Sequence, residues 1–132
     1  MYNIVKEGEL MLYGCNYSKE LIQLIREDSQ LCDYIKIGAF GSTKDFLDEA
    51  FHYKPLLIHG FGWYERGGMS STEIMDFSFM NDHLMKYKSP FLGMHSLAFA
   101  NDMKTIDHLL EHMVQIFKEV NEKTCVPIII EN

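Results

Sequence analysis

Short apolar runs recur along this chain at regular intervals, and three of them lead into a polar residue. These polar residues are His59, His95 and Glu131, and the intervals between them are equal (95 − 59 = 36 and 131 − 95 = 36). A strand, a helix and their connections need about 30 residues or more, so the spacing predicts successive strand–helix units. In parallel α/β folds the carboxyl ends of the strands build the functional site, and we expect the three side chains to meet there.

The order of elements predicted from the whole sequence is βαβαβαβαβ, in a single domain that spans residues 1–132. Strands are expected to start near residues 10, 34, 56, 91 and 127. The first two are predicted at Leu10–Tyr13 and Tyr34–Ile37. The last three are continuous apolar runs, which is typical of parallel strands with both faces covered. The pattern therefore predicts an α/β protein with a parallel sheet.

Side chains suited to capping mark the starts of the predicted helices. Ser18 and Thr105 each precede an apolar helical stripe. Ser42 and Ser70 are each followed three residues later by an acidic residue, which is the pattern of a capping box. The helix that Ser70 opens is predicted to run to about Tyr87.

The last predicted helix has the clearest helical period in the chain, with an apolar stripe from Ile106 to Val120. His108 and His112 are one turn apart on the same helix. That spacing can chelate a metal, but the sequence between them does not have the HExxH pattern. We therefore expect both histidines to face solvent.

Two architectures fit this order of elements. One is a five-stranded, doubly wound open sheet, for which 132 residues is a natural length. The other is part of a (β/α)8 TIM barrel, which as a whole needs about 250 residues. Length favours the open sheet, whereas the polar residues at the strand ends favour the barrel. The segment Gly14–Ser18, after the first predicted strand, lacks the glycine pattern of a nucleotide-binding loop.

Composition and charge narrow the class of protein. The net charge of −7 argues against a general binder of nucleic acid or of anionic membranes. Three cysteines without a CxxC pair favour reduced thiols in the cytoplasm. The sequence shows no signal peptide, and no apolar run approaches the roughly 18 residues of a membrane helix. We therefore expect a cytoplasmic protein.

Two imidazoles and a carboxylate are typical ligands of zinc, manganese and iron. We therefore predict that His59, His95 and Glu131 bind a divalent metal ion. Either histidine alone is more often a strand-end residue that hydrogen-bonds to the backbone, so the equal spacing is what favours the metal. Trp63 and Tyr64, in the glycine-rich loop after the third strand, are predicted to contact the substrate. Packing of that loop onto its neighbours explains the two aromatic residues equally well.

Three segments of the sequence resemble the xylose-isomerase-like TIM-barrel superfamily. The similar segments are Leu57–Gly60 at the end of the third strand, Met94–Ala98 at the end of the fourth, and Pro127–Asn132 at the fifth. The superfamily includes sugar isomerases and epimerases, endonucleases of the endonuclease IV type, and the multinuclear non-haem iron oxygenases of methanobactin-type biosynthesis. The resemblance covers the first five strand units of such a barrel.

The resemblance implies a divalent-metal site with Glu131 as a direct ligand. In the endonuclease and oxygenase branches His59 and His95 would also be ligands. In the epimerase branch the strand-three histidine more often contacts substrate, and the glutamate also serves as acid or base, which makes Glu131 the expected catalytic residue. The function expected first is a metal-dependent isomerase or epimerase of a sugar or sugar phosphate. An endonuclease IV-like phosphodiesterase and a non-haem iron oxygenase are the alternatives within the superfamily.

The sequence also departs from that superfamily. The remaining ligands of these families come from strands six to eight, which this sequence does not contain, so we expect the N-terminal portion of a barrel or one piece of a split barrel. In that form the chain can be inactive. A different hypothesis is then a non-catalytic half-barrel that associates with itself or with a partner that completes the barrel, because an open parallel sheet exposes an apolar edge.

Overall fold

The computed structural model describes residues 12–61, 68–69, 71–73, 75–96 and 105–131. The strands in these residues are β1 (Gly14–Asn16), β2 (Tyr34–Ala39), β3 (Leu56–Phe61), β4 (Gly68–Met69), β5 (Leu92–Ser96) and β6 (Ile128–Glu131). The α-helices are α1 (Lys19–Glu27), α2 (Leu47–Tyr53), α3 (Phe77–Lys86) and α4 (Ile106–Lys123), and a 3-10 helix, Thr43–Phe46, precedes α2. None of these described helices has the length and apolar character needed to cross a membrane.

The sheet is parallel throughout its described pairings. Five strands follow one another in chain order, β1-β2-β3-β5-β6. The short β4 pairs with the last two residues of β5, beyond the stretch that pairs with β3. The sheet curls into a half-barrel with helices packed against it, which confirms the prediction of a parallel α/β fold.

The strand order separates the two predicted architectures. A doubly wound sheet needs a reversal of strand order, with helices on both faces. The five strands named above have no reversal, and buried side chains from all four helices pack in one cluster with the sheet. The doubly wound alternative is therefore wrong for the described part of the chain.

Alternation along each strand divides the side chains between the two faces of the sheet. In β2, Ile35 and Ile37 are buried in the core with the helices, and Lys36 between them lies on the opposite, concave face. In β5, Leu92 and Met94 are buried in the same core. Residues of the concave face are therefore free to form a polar site.

The first strand begins later than the sequence predicts. Leu12 and Tyr13 precede β1 and are 65% and 67% exposed, while residues 10 and 11 lie outside the described residues. The Tyr13 carbonyl accepts a hydrogen bond of 2.7 Å from the backbone N–H of Asp33, and the Asp33 carboxylate accepts one of 2.7 Å from the Tyr13 N–H. This exchange ties Tyr13 to the turn before β2, so parallel pairing starts only at Gly14.

Two predicted helix caps are confirmed and two are not. Ser18 accepts a hydrogen bond of 3.0 Å from the Leu21 N–H, and Thr105 accepts one of 3.2 Å from the His108 N–H. Ser42 makes no capping bond and has helical backbone angles itself. The hydroxyl of the next residue, Thr43, instead donates to the Gly38 carbonyl at the end of β2, which holds a 3-10 turn there.

The third helix also starts later than predicted. It begins at Phe77, and Asp76 is its N-cap, accepting a hydrogen bond of 3.0 Å from the Phe79 N–H. The backbone N–H of Glu73 donates to the Ser71 hydroxyl two residues earlier. That local turn competes with a helix, and Ser70, the predicted cap, lies outside the described residues.

A β-bulge interrupts β3 near its end. Between the pairs Ile37–Ile58 and Ala39–Phe61, β2 advances by two residues and β3 by three. Gly60 takes up the extra residue with a φ of 72°, a conformation that glycine adopts without steric cost. The bulge reverses the alternation of side chains, so Phe61 is buried in the helix-side core. The strand therefore continues past His59, which was predicted to end it.

A buried hydroxyl connects β3 to the start of β5. Ser89 is 1% exposed, and its hydroxyl accepts a hydrogen bond of 2.9 Å from the Ile58 N–H and donates one of 2.7 Å to the Phe91 carbonyl. The hydroxyl thus supplies a partner for the N–H of Ile58, the first β3 residue that pairs with β5.

We expect Ser89→Ala to lower the free energy of unfolding by about 1–3 kcal/mol, because it leaves the buried Ile58 N–H without this partner. Urea unfolding followed by circular dichroism measures the change. Ser29→Ala, at an exposed position, is the matched control and should change stability by less than about 0.5 kcal/mol. Equal stability of the two variants would contradict this role of Ser89.

Candidate functional site at the carboxyl ends of the strands

The structure brings together the three residues that the sequence singled out. The Nε2 atoms of His59 and His95 are 3.0 Å apart, and the rings are nearly perpendicular, with an interplanar angle of 84°. The Nδ1 atom of His59 is 3.2 Å from Oε1 of Glu131. All three lie toward the carboxyl ends of β3, β5 and β6, as predicted.

A glycine makes the contact between His59 and Glu131 possible. The two residues lie on β3 and β6, and β5 runs between these strands. Gly93 of β5 pairs with His59, and a Cβ atom at Gly93 would lie 2.9 Å from Oε1 of Glu131 and 3.1 Å from Nδ1 of His59. Since Gly93 has no side chain, the imidazole and the carboxylate meet directly above it.

Lys36 is a fourth member of the cluster, and the sequence analysis did not identify it as a site residue. Its ammonium forms an ion pair with Oε2 of Glu131, and both side chains are 27% exposed. The sequence does contain a signal for Lys36, because it lies between two isoleucines in a predicted strand. Alternation along a strand then places the lysine on the face opposite the core. The four side chains form a continuous chain in the order Lys36, Glu131, His59, His95.

The pKa values of Glu131 and His59 define the protonation states within this hydrogen-bonded series of side chains. Burial alone would raise the pKa of Glu131, but the hydrogen bond from Lys36 and the nearby charges hold it below its ordinary value. Burial lowers the pKa of His59, and Lys36 and His95 add to this effect against the opposing influence of Glu131. At neutral pH the carboxylate is therefore ionised and His59 is neutral.

These protonation states fix the direction of the hydrogen bonds. An ionised carboxylate only accepts, so Nδ1 of His59 must carry the proton that is donated to Glu131. The Nε2 atom of the neutral His59 is then an acceptor, and Nε2 of His95 must donate to it. The tautomer of His95 that donates from Nε2 has its lone pair on Nδ1.

A cavity of about 350 Å³ lies over the cluster. His95 and Lys36 contribute to its wall, and so do the polar residues Asn16 and Thr43 from the carboxyl ends of the first two strand units. The cavity is large enough for a small polar molecule, at the low end of the usual range for ligand sites.

The predicted metal ligands do not surround one point. His59 directs opposite ring nitrogens at His95 and at Glu131, so the carboxylate and the second imidazole lie on different sides of the ring. Within the described residues, no group of three or more histidine, cysteine, aspartate or glutamate side chains is arranged to hold a metal ion. In this arrangement Glu131 orients His59, as carboxylates orient metal-binding histidines in proteins. The divalent metal itself stays a prediction.

The predicted substrate-binding residues, Trp63 and Tyr64, lie outside the described residues. His108 and His112 are exposed on α4, as predicted.

No protein-family model matches this chain, and no curated protein matches it by sequence. The resemblance to the xylose-isomerase-like superfamily therefore has no support from these comparisons and also stays a prediction.

The lowered pKa of His59 predicts how stability depends on pH. In the unfolded chain His59 has the ordinary histidine pKa of 6.5, so it binds a proton more readily there than in the folded chain. The free energy of unfolding should therefore decrease as the pH falls from about 7 to about 5.5. Glu131 stays ionised throughout this pH range, because its pKa lies below the ordinary value of 4.5.

Urea unfolding at several pH values, followed by circular dichroism, measures this dependence. His59→Gln should give a smaller decrease over the same window, and the matched control His108→Gln should not alter it. A slope that is the same in wild type and His59→Gln would show that His59 is not the group responsible.

Proposed function

We propose that this chain carries the acid–base site of an enzyme that moves protons on a small hydroxy-carbonyl compound, as an isomerase or epimerase of a sugar or sugar phosphate does. One observation carries the proposal. A hydrogen-bonded chain of Lys36, Glu131, His59 and His95 lines a polar cavity at the carboxyl ends of a curled parallel sheet. In the proposal, the sheet belongs to the xylose-isomerase-like class of TIM barrels.

His95 is the base in the proposed reaction. Its Nδ1 atom takes the proton from the carbon next to the substrate carbonyl, and the electron pair of the broken C–H bond moves toward the carbonyl oxygen. The imidazolium so formed donates from Nε2 to His59, which in turn donates to Glu131. Glu131 thus acts through His59 and is a positioning residue, rather than the catalytic residue predicted from the resemblance.

Return of the proton determines the product. Delivery to the neighbouring carbon, with transfer of the hydroxyl proton to the former carbonyl oxygen, gives the isomer. Epimerisation requires a second proton donor, such as water, on the opposite face of the same carbon. Both outcomes need only proton transfer, for which an imidazole is suited at neutral pH.

A divalent ion would supply polarisation of the substrate oxygens if the two histidines held it through their Nε2 atoms. The endonuclease-like and oxygenase-like alternatives need multinuclear metal sites. The donor groups among the described residues favour proton transfer over these alternatives, because no three of them converge.

We expect the wild-type protein to exchange the α-hydrogen of a suitable aldose, ketose or sugar phosphate for deuterium in D2O. His95→Asn should reduce the exchange rate by about 100-fold or more, because the base is lost. Proton NMR of the sugar measures the exchange directly, without a requirement for net turnover. His108→Asn on the exposed face of α4 is the matched control and should exchange at the wild-type rate. Equal exchange by His95→Asn would contradict the role of His95.

A second candidate function is self-association of the half-barrel, and exposed apolar side chains favour it. On α4, Ile106, Leu110 and Val114 lie one turn apart and are 75%, 53% and 48% exposed. On the neighbouring strand β6, Ile129 and Ile130 are 38% and 43% exposed. Ile129 and Ile130 point to opposite faces of the sheet, so only the α4 residues form one continuous apolar stripe, and such a stripe is typical of an interaction site.

If these residues form an interface between copies, sedimentation equilibrium should show a dimer or a larger assembly at high protein concentration. Leu110→Lys should shift the equilibrium toward monomer, because it places a charge in the apolar stripe. Gln115→Lys adds the same charge at another exposed position of α4 and should not shift it. A wild-type protein that remains monomeric at its highest soluble concentration would contradict this candidate function.

A further inference from the structure

We propose that Lys36 is the resident cation of this site: its ammonium occupies the place beside Glu131 that a divalent ion would take, and it stabilises the oxyanion of the substrate. The inference rests on the proposed proton-transfer function and specifies how the site supplies positive charge. It replaces the metal expected from the sequence with a side chain of the protein.

The first argument is electrostatic. The Lys36 ammonium forms an ion pair with Oε2 of Glu131, and the Lys36 side chain is only 27% exposed. A metal ion bound to the Glu131 carboxylate would lie next to the positive charge of the Lys36 ammonium. Neighbouring like charges repel each other strongly where water is partly excluded. Binding of the ion would therefore require the Lys36 ammonium to move away from Glu131.

The second argument concerns the donor atoms. Both oxygens of Glu131 have partners, Oε2 with Lys36 and Oε1 with Nδ1 of His59. The Nε2 atoms of the two histidines are bonded to each other. A metal ion held by the two Nε2 atoms would break the bond between the histidines and would have two imidazoles as ligands, whereas a stable site usually has three or four protein ligands. Adding Glu131 as a third ligand would also require its bond to Lys36 or to His59 to break.

The third argument concerns the reaction. An ammonium has three donor hydrogens, and the bond to Glu131 uses one of them. Lys36 lines the cavity together with Thr43 and Asn16, so its remaining hydrogens can be donated to a substrate oxygen.

In the proposed step, the C–H bond breaks and its proton goes to Nδ1 of His95. The electron pair forms the carbon–carbon double bond of an enediolate, and the π electrons of the carbonyl move onto the oxygen. Lys36 stabilises this oxyanion by a charge-assisted hydrogen bond. No electrons are transferred to or from another compound, and the proton returns from His95 in the second half of the reaction.

Zinc and manganese titrations by isothermal calorimetry test the inference without reference to activity. Wild-type protein should bind neither ion stoichiometrically at the site. Lys36→Glu exchanges the cation for a ligand, and it should bind zinc at least about tenfold more tightly than wild type. Lys118→Glu, at an exposed position of α4, makes the same change of charge and should bind no more tightly than wild type.

Lys36→Met covers the case in which Lys36→Glu does not fold, because it removes the cation without adding a carboxylate. It should fold, as judged by circular dichroism, and bind zinc more tightly than wild type, since the repulsion is gone. Stoichiometric binding by wild type that is lost in His95→Asn would overturn the inference, and so would a folded Lys36→Met with no gain in zinc affinity.

Deuterium exchange separates this inference from the proposed function. With an active sugar, exchange should continue in EDTA and should fall by about 100-fold or more in Lys36→Met. If exchange requires a metal, the function stands and the role of Lys36 is overturned. If no sugar exchanges, the proposed function fails, while the titrations still decide which cation the site holds.

Discussion

The carboxylate of Glu131 is the group on which the geometry of the site depends. It belongs to β6, accepts from Lys36 of β2 and accepts from His59 of β3. One side chain thus connects three strands, and it orients the imidazole that in turn contacts His95. A neutral or absent group at this position would leave a partly buried ammonium without its counter-charge and His59 without a partner for Nδ1.

The curl of the sheet is what allows this connection. β2 and β6 are separated by β3 and β5, which in a flat sheet would place them about 14 Å apart, at about 4.8 Å per strand. Curling brings the side chains of the concave face toward one another, and Gly93 leaves open the space through which His59 and Glu131 meet. The sequential strand order and one missing side chain therefore have a direct consequence for the chemistry.

The same curl leaves part of the protein uncovered. The concave face gathers polar groups at one end of the strands, while α4 and β6 expose apolar residues at the side of the sheet. The two proposed functions use different surfaces, the cavity for proton transfer and the α4–β6 side for association. They are therefore independent of each other.

Much of the fold could be predicted from local patterns. The spacing of His59, His95 and Glu131, the caps Ser18 and Thr105 and the apolar runs depend on neighbours in sequence, and these features lie where they were expected. The first strand and the third helix were misplaced because their starts depend on hydrogen bonds to the turn before β2 and within the segment before Phe77. Such contacts compete with the local propensity of the residues for strand or helix, and the periodicity of apolar residues does not reveal them.

The sequence by itself determined the parallel α/β class and the side of the sheet at which the polar residues meet, because periodicity and spacing are properties of the chain. Only the tertiary structure decided the strand order, the entry of Lys36 into the site and the use of opposite nitrogens of His59. These features follow from contacts between residues far apart in the chain; Lys36 and Glu131 are separated by 95 positions. Sequence identifies candidate donor atoms, but the directions of their lone pairs and hydrogens are set by packing in three dimensions.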